Sequence, residues 1–102
     1  DPTNQLMLRV AGYAYAKSGR RREAEEITKR FRDIAKTQYV MSYFVANICA
    51  GLGDKEKAFA ELEKAFAERD FSLHRLKVDP LMEPLRDDPR FQELLQRVGL
   101  PQ

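Results

Sequence analysis

Small residues recur at an interval of 34 positions, and that recurrence constrains the fold more than any other feature of the chain. Gly19 is matched by Gly53, Ala24 by Ala58, and Gly12 by Ala46. Each copy also places an alanine five residues after a glycine, in Gly19-Arg20-Arg21-Arg22-Glu23-Ala24 and again in Gly53-Asp54-Lys55-Glu56-Lys57-Ala58. A unit of this length holds one helical hairpin. Where two antiparallel helices cross closely, only glycine or alanine lets the backbones approach.

The residues between these markers carry helical periodicity. Leu6, Met7, Val10, Ala11, Ala14 and Tyr15 predict a helix over about 4–18, started by Pro2 and Thr3 or Asn4 and stopped by Gly19. Ala24, Ile27, Phe31 and Ile34 make one stripe of a second helix over about 21–36. Its other face carries Glu23, Glu26, Lys29, Arg30 and Asp33. The stretch 39–52 is apolar nearly all round, with Tyr39, Val40, Met41, Phe44, Val45, Ile48, Cys49 and Leu52, which predicts a helix buried between neighbours and ended by Gly51 and Gly53. Ala58, Phe59, Leu62, Ala65 and Phe66 predict a fourth helix over about 55–69.

Beyond residue 70 the recurrence stops: residue 87 is Asp and residue 92 is Gln. All but one of the prolines fall here. Asp79-Pro80 and Asp88-Pro89 each read as an N-cap followed by proline at the first helical position. The expectation is a short helix over about 71–78, a shorter one over about 80–86 and a last one over 89–98, closed by Gly99. The fold class is therefore all-α, with one domain over 1–102: a first unit at about 4–37, a second at about 38–70 and a divergent cap at about 71–99. A stacked array needs such a cap, because its last unit has no neighbour to cover it.

Chemistry is sparse. Eighteen basic and sixteen acidic side chains leave a net charge of +2, too balanced for a dedicated nucleic-acid or membrane-surface binder. No apolar run approaches the roughly 20 residues that cross a bilayer. The one cysteine, Cys49, has no internal disulfide partner, which points to a reducing compartment. Cys49 and His74 could in principle form a nucleophile and base, but Cys49 falls in the most apolar helix, where cysteine behaves as a small hydrophobe. No Cys/His cluster has metal-ligand spacing, and Gly51-Leu52-Gly53 lacks the lysine and further glycines of a phosphate loop. Arg20-Arg21-Arg22 is followed at once by Glu23, Glu25 and Glu26, which reads as a solvated, locally paired turn. The chain opens at Asp1 without a methionine, and the expectation is a piece of a longer protein.

These residues resemble the tetratricopeptide repeat (TPR) family, whose unit is a 34-residue hairpin with small residues at the crossing, a Gly turn and an early Ala in the second helix. The first copy shows Gly12, Tyr15, Gly19 and Ala24; the second shows Ala46, Gly53-Asp54, Ala58, Leu62 and Ala65. Cys49 stands where Tyr15 stands in the first copy, and Phe31 where Ala65 stands in the second. The stretch 39–101 is also similar to a C-terminal ending of bacterial TPR proteins, through Ala50-Gly51-Leu52-Gly53-Asp54, Leu76-Lys77-Val78-Asp79-Pro80 and Pro84-Leu85-Arg86-Asp87-Asp88-Pro89. In that group the repeats often follow a winged-helix, nucleotide-cyclase or protein-kinase domain.

The resemblance implies a short right-handed solenoid of antiparallel hairpins in a cytoplasmic, non-catalytic protein- or peptide-binding module. It implies no cofactor, metal, nucleic acid, membrane or small-molecule substrate. It points Arg9, Tyr13 and Lys17 into the concave face from the first unit, Tyr43 and Asn47 from the second, and His74 and Lys77 from the third. Cations there would meet a carboxylate and Asn47 would meet peptide backbone. Two alternatives stand beside this. Tyr13 and Tyr43 pack against the next helix, or the domain is a spacer or homodimerisation unit whose N-terminal face pairs with a second copy.

Overall fold

A computed structural model describes residues 4–99. Every regular element among them is helical. Five α-helices, α1 (Gln5–Lys17), α2 (Arg21–Ile34), α3 (Ser42–Gly51), α4 (Lys55–Ala67) and α5 (Pro89–Val98), are joined by two 3-10 helices, Phe71–Arg75 and Pro80–Leu85, between α4 and α5. Helices α1 and α2 pack together as one pair, and α3 and α4 as the next. The three-residue links at 18–20 and 52–54 enforce the hairpin reversal.

The turns follow from local chemistry. Gly19 and Gly53 sit at φ 82° and 80°, in the left-handed region that L side chains avoid. At the first turn the Arg20 N–H donates to the Tyr15 carbonyl and the Gly19 N–H to that of Ala16, the paired closure of a Schellman motif. Asp54 and Gly53 repeat it onto Cys49 and Ala50. The same closure ends α4, where Asp70 reaches Ala65 and Arg69 reaches Phe66, but the residue in the left-handed position is Arg69, at φ 56°. Asn4 accepts from Met7 N–H, Asp79 from Leu81 and Asp88 from Arg90, the caps the sequence indicates, and Asp54 accepts from Lys57 N–H, while α2 and α3 start without a side-chain cap.

The small residues are buried, and at Gly12 a close approach of neighbouring helices accounts for it. Ala24, Ala46 and Ala58 are fully buried, and Gly12 is buried where α1 crosses α3. A Cβ at Gly12 would lie 2.5 Å from Ile48 Cδ1 and 3.0 Å from Ile27 Cγ2. Helix α3 runs through the middle, touching α1, α2, α4 and the second 3-10 helix. Tyr43, Ile48 and Ala50 on it are essentially inaccessible, as its near-continuous apolarity predicted. Each large side chain so buried contributes about 1.5–3 kcal/mol of hydrophobic stabilisation.

Several boundaries differ from expectation. Helix α3 begins at Ser42 rather than 39, and Gly51 is its last helical residue rather than a stop; only Gly53 turns the chain. The segment 71–78 is a 3-10 turn over Phe71–Arg75, and 80–86 is another over Pro80–Leu85. Pro84 removes an amide inside the second, where a longer α-helix would need it.

The interval of 34 also continues past residue 70 in the structure, although the marker residues end. Helices α2, α4 and α5 begin at Arg21, Lys55 and Pro89. Arg90 pairs with Glu56 at 2.8 Å and Arg97 with Glu63 at 2.6 Å, each pair 34 residues apart. The two guanidinium groups lie over the rings of Phe59 and Phe66 on α4. Helix α5 thus packs on α4 through contacts spaced at the same interval.

Candidate functional site

The seven residues expected on the concave face divide into two groups. Arg9, Tyr43 and Asn47 come together, but inside the protein, at 5%, 0% and 0% exposure. Their expectation as an open peptide-binding surface is corrected by what covers them: the chain's own turn before the second 3-10 helix. Asp79 at the head of that turn is 2% exposed. Its Oδ2 accepts from the Tyr43 hydroxyl at 2.7 Å and from Arg9 Nη2 at 3.1 Å. Arg9 Nε donates to Asn47 Oδ1 at 2.6 Å, and the guanidinium stacks over Phe44. The other Asp79 oxygen caps Leu81, so the carboxylate is fully engaged. Arg86 holds the same turn by donating to the carbonyls of Lys77 and Asp79.

Tyr13 is half-buried at the edge of this cluster. Burial, then the charges of Asp79 and Glu83, raise its phenol above the ordinary value. Burial raises Tyr43 much further, reinforced by its hydrogen bond to Asp79. Asn47 Nδ2 has no hydrogen-bond partner among the described residues. Lys17 and His74 are exposed and Lys77 half-buried. His74 Nδ1 lies 2.5 Å from the Phe71 carbonyl, and its ring tilts against that of Phe71. The constellation is a charge-assisted lock that joins α1 and α3 to the cap. Sequence reasoning identified the Asp79 N-cap but not its second role, for which no local pattern exists.

Cys49 and His74 are not brought together. Cys49 lies at the floor of a cleft of about 300 Å³ between α2 and α4, beside Arg32 and Glu61, while His74 lines a separate cleft with Phe66, Leu73 and Val98. Burial pushes the Cys49 thiol up to about 11, so its nucleophilic thiolate is disfavoured at neutral pH. Among the described residues no group of three or more His, Cys, Asp or Glu could hold a metal ion. No described helix is long and apolar enough to cross a membrane. In the basic turn, Arg20 pairs with Glu23 at 2.7 Å and lies over the Tyr15 ring.

A further surface feature lies on α1, whose residues the sequence reading placed in a helix stripe without assigning them to a site. Leu6, Met7 and Val10 are 52%, 64% and 53% exposed, and Ala14 completes their face one turn on. Counting 34 residues forward gives Val40, Met41, Phe44 and Ile48. Those four pack into the core, with Ile48 against Gly12 and Ile27 and Phe44 under Arg9. The same face of the preceding helix is open. Comparison with known proteins returned no match to a family model, a curated protein or a solved structure.

Proposed function

We propose that this chain is a TPR-type helical-repeat module with a non-catalytic role: it docks another polypeptide. The observation that carries this reading is the α1 face, where Leu6, Met7 and Val10 stand in water although their counterparts one interval later are packed. Contiguous apolar surface on a folded chain marks an interaction site. The persistence of the interval into α5, through Arg90–Glu56 and Arg97–Glu63, supports the repeat reading independently of the marker residues. A buried thiol without a disulfide partner fits a reducing, cytoplasmic setting.

The concave cluster supports a structural role in this reading, because the Asp79 carboxylate already takes the donors of Arg9 and Tyr43. Docking therefore falls to the end of the stack rather than to its inner face. A photo-reactive phenylalanine at position 10, and another at Gln92 on the outer face of α5, separate the possibilities in cells of the native source. Adducts to a polypeptide from position 10 but not from position 92 support the assignment. Absence of adducts from position 10 at native expression removes it.

A further inference from the structure

We infer that the cleft between the end of α4, the first 3-10 helix and the end of α5 is a site for a small organic anion, a carboxylate carried on an apolar body. The site is independent of the α1 face. It adds a ligand class that the family resemblance does not imply.

The cleft has a volume of about 460 Å³, within the range that holds small ligands. Buried Leu73 and half-buried Phe66 and Val98 give it apolar walls, and the exposed Arg69, His74 and Arg97 line it beside them. His74 is fixed there by its Nδ1 contact with the Phe71 carbonyl and by the Phe71 ring. Most of the charge in the lining is already engaged. Arg97 grips both oxygens of Glu63. Asp70, the one acid of the lining, is buried, and its oxygens accept from the Tyr43 and Ser72 amides. Arg69 remains: no hydrogen bond or ion pair among the described residues engages its guanidinium.

Neighbouring clefts lack this combination. The one at Cys49 sets Arg21, Arg32 and Lys57 against Glu25, Asp54 and Glu61. In the one between α4 and α5, Arg90 and Arg97 are spanned by Glu56 and Glu63. A third, along α2, is lined by charged residues and Thr28 alone.

The backbone supplies a second observation. The closures after α1 and α2's partner hairpin put Gly19 and Gly53 in the left-handed position, whereas the closure after α4 puts Arg69 there, at φ 56°. An L side chain at that angle is strained, and glycine would relieve it. Strained residues of this kind concentrate at ligand sites. Here the strained residue and the unpartnered cation are the same one. A carboxylate answers the Arg69 guanidinium, whose planar fork matches its two oxygens. An apolar body answers Phe66, Leu73 and Val98. A ligand cation would instead meet Arg69 and Arg97, and a volume of this size holds one apolar body with its acid rather than a length of chain.

Phenylacetate added to the full chain, with backbone amide shifts followed by nuclear magnetic resonance, tests the site. The expected result is saturable shifts at Arg69, Leu73, His74 and Val98 with a Kd on the order of 1–10 mM. Phenylacetamide lacks the charge and acetate lacks the ring, so each should bind at least about fivefold more weakly. Arg69→Gly should weaken phenylacetate about fivefold while the melting temperature holds or rises, which separates lost binding from lost folding. No saturation up to about 50 mM overturns the inference. So do shifts confined to Leu6, Met7 and Val10, equal binding of phenylacetamide, or undiminished binding by Arg69→Gly. Leu100 lies outside the described residues; a chain ending at Gly99 that binds about tenfold more tightly would make Leu100 the occupant and remove the free anion. An acetylated tripeptide ending in phenylalanine that binds about tenfold more tightly than phenylacetate would remove it too, in favour of a polypeptide end.

Discussion

Substituting Asp79 should damage the fold heavily, and its cost can be worked from the contacts. Its carboxylate is nearly inaccessible and sits 3.1 Å from an Arg9 guanidinium that is itself 6% exposed. Removing one partner of a buried pair leaves the other charge uncompensated, at about 3–5 kcal/mol. Asp79→Asn keeps the shape and the cap to Leu81, so it isolates the charge component at about 3 kcal/mol. Asp79→Ala also loses the cap, adding about 1 kcal/mol. For comparison, Glu63→Gln weakens an exposed pair with Arg97 and should cost at most about 1 kcal/mol. A domain of this size is stable by only about 5–15 kcal/mol, so the first two variants lose a large share of it. Urea unfolding followed by circular dichroism at 222 nm gives all three values. The paired replacement Arg9→Met with Asp79→Leu should recover most of the loss, because it removes both ions together. If Asp79→Asn costs no more than Glu63→Gln, the buried lock contributes nothing and the reasoning fails.

Gly12→Ala should destabilise by up to about 2 kcal/mol, since crowding against the fully buried Ile48 outweighs a helix-propensity gain of about 1 kcal/mol. Gly51→Ala, whose nearest contacts would be 3.1 Å away, should be close to neutral in the same urea assay. Arg69→Gly should stabilise by about 0.5 kcal/mol by relieving a left-handed backbone, whereas Gly53→Ala should cost about 1 kcal/mol; unchanged urea midpoints would contradict both. The raised Tyr43 phenol favours its neutral form when folded. Its contribution to stability is therefore complete below the ordinary value of 10.0 and declines as pH rises above it. Absorbance at 295 nm should show Tyr43 ionising only as the chain unfolds.

Most of the architecture was legible because it depends on local rules. Gly19 and Gly53 announce turns by their left-handed backbone, and Asp88-Pro89 announces a helix start through one side-chain oxygen and one fixed φ. Ala24, Ala46 and Ala58 were assigned to buried crossings from spacing alone, and all three are fully buried. What failed depends on contacts between distant segments. Tyr39 and Val40 look like the opening of α3, but the Gln5 side chain grips the Tyr39 carbonyl and the Met41 amide, holding that stretch extended until Ser42. The family resemblance implied an open-face position for Arg9, Tyr43 and Asn47. Nothing near them in sequence reveals that Asp79 folds back over them. Conversely, Leu6, Met7 and Val10 have the spacing of a core stripe, and only the folded chain shows that no described element covers them.

The bond from Arg9 to Asp79 spans 70 residues. Chains built of stacked hairpins ordinarily touch only their nearest neighbours, so they can fray one unit at a time from either end. Here the first helix is tied directly to the cap, across the whole of the second hairpin. Neither the first helix nor the turn ahead of the second 3-10 helix can peel away without breaking the same ionic contact, so the part of the chain from α1 to that turn should melt together. For the same reason, excising or inserting a single hairpin would separate residues that have to touch, and this small stack is closed to the modular lengthening that its periodic plan invites.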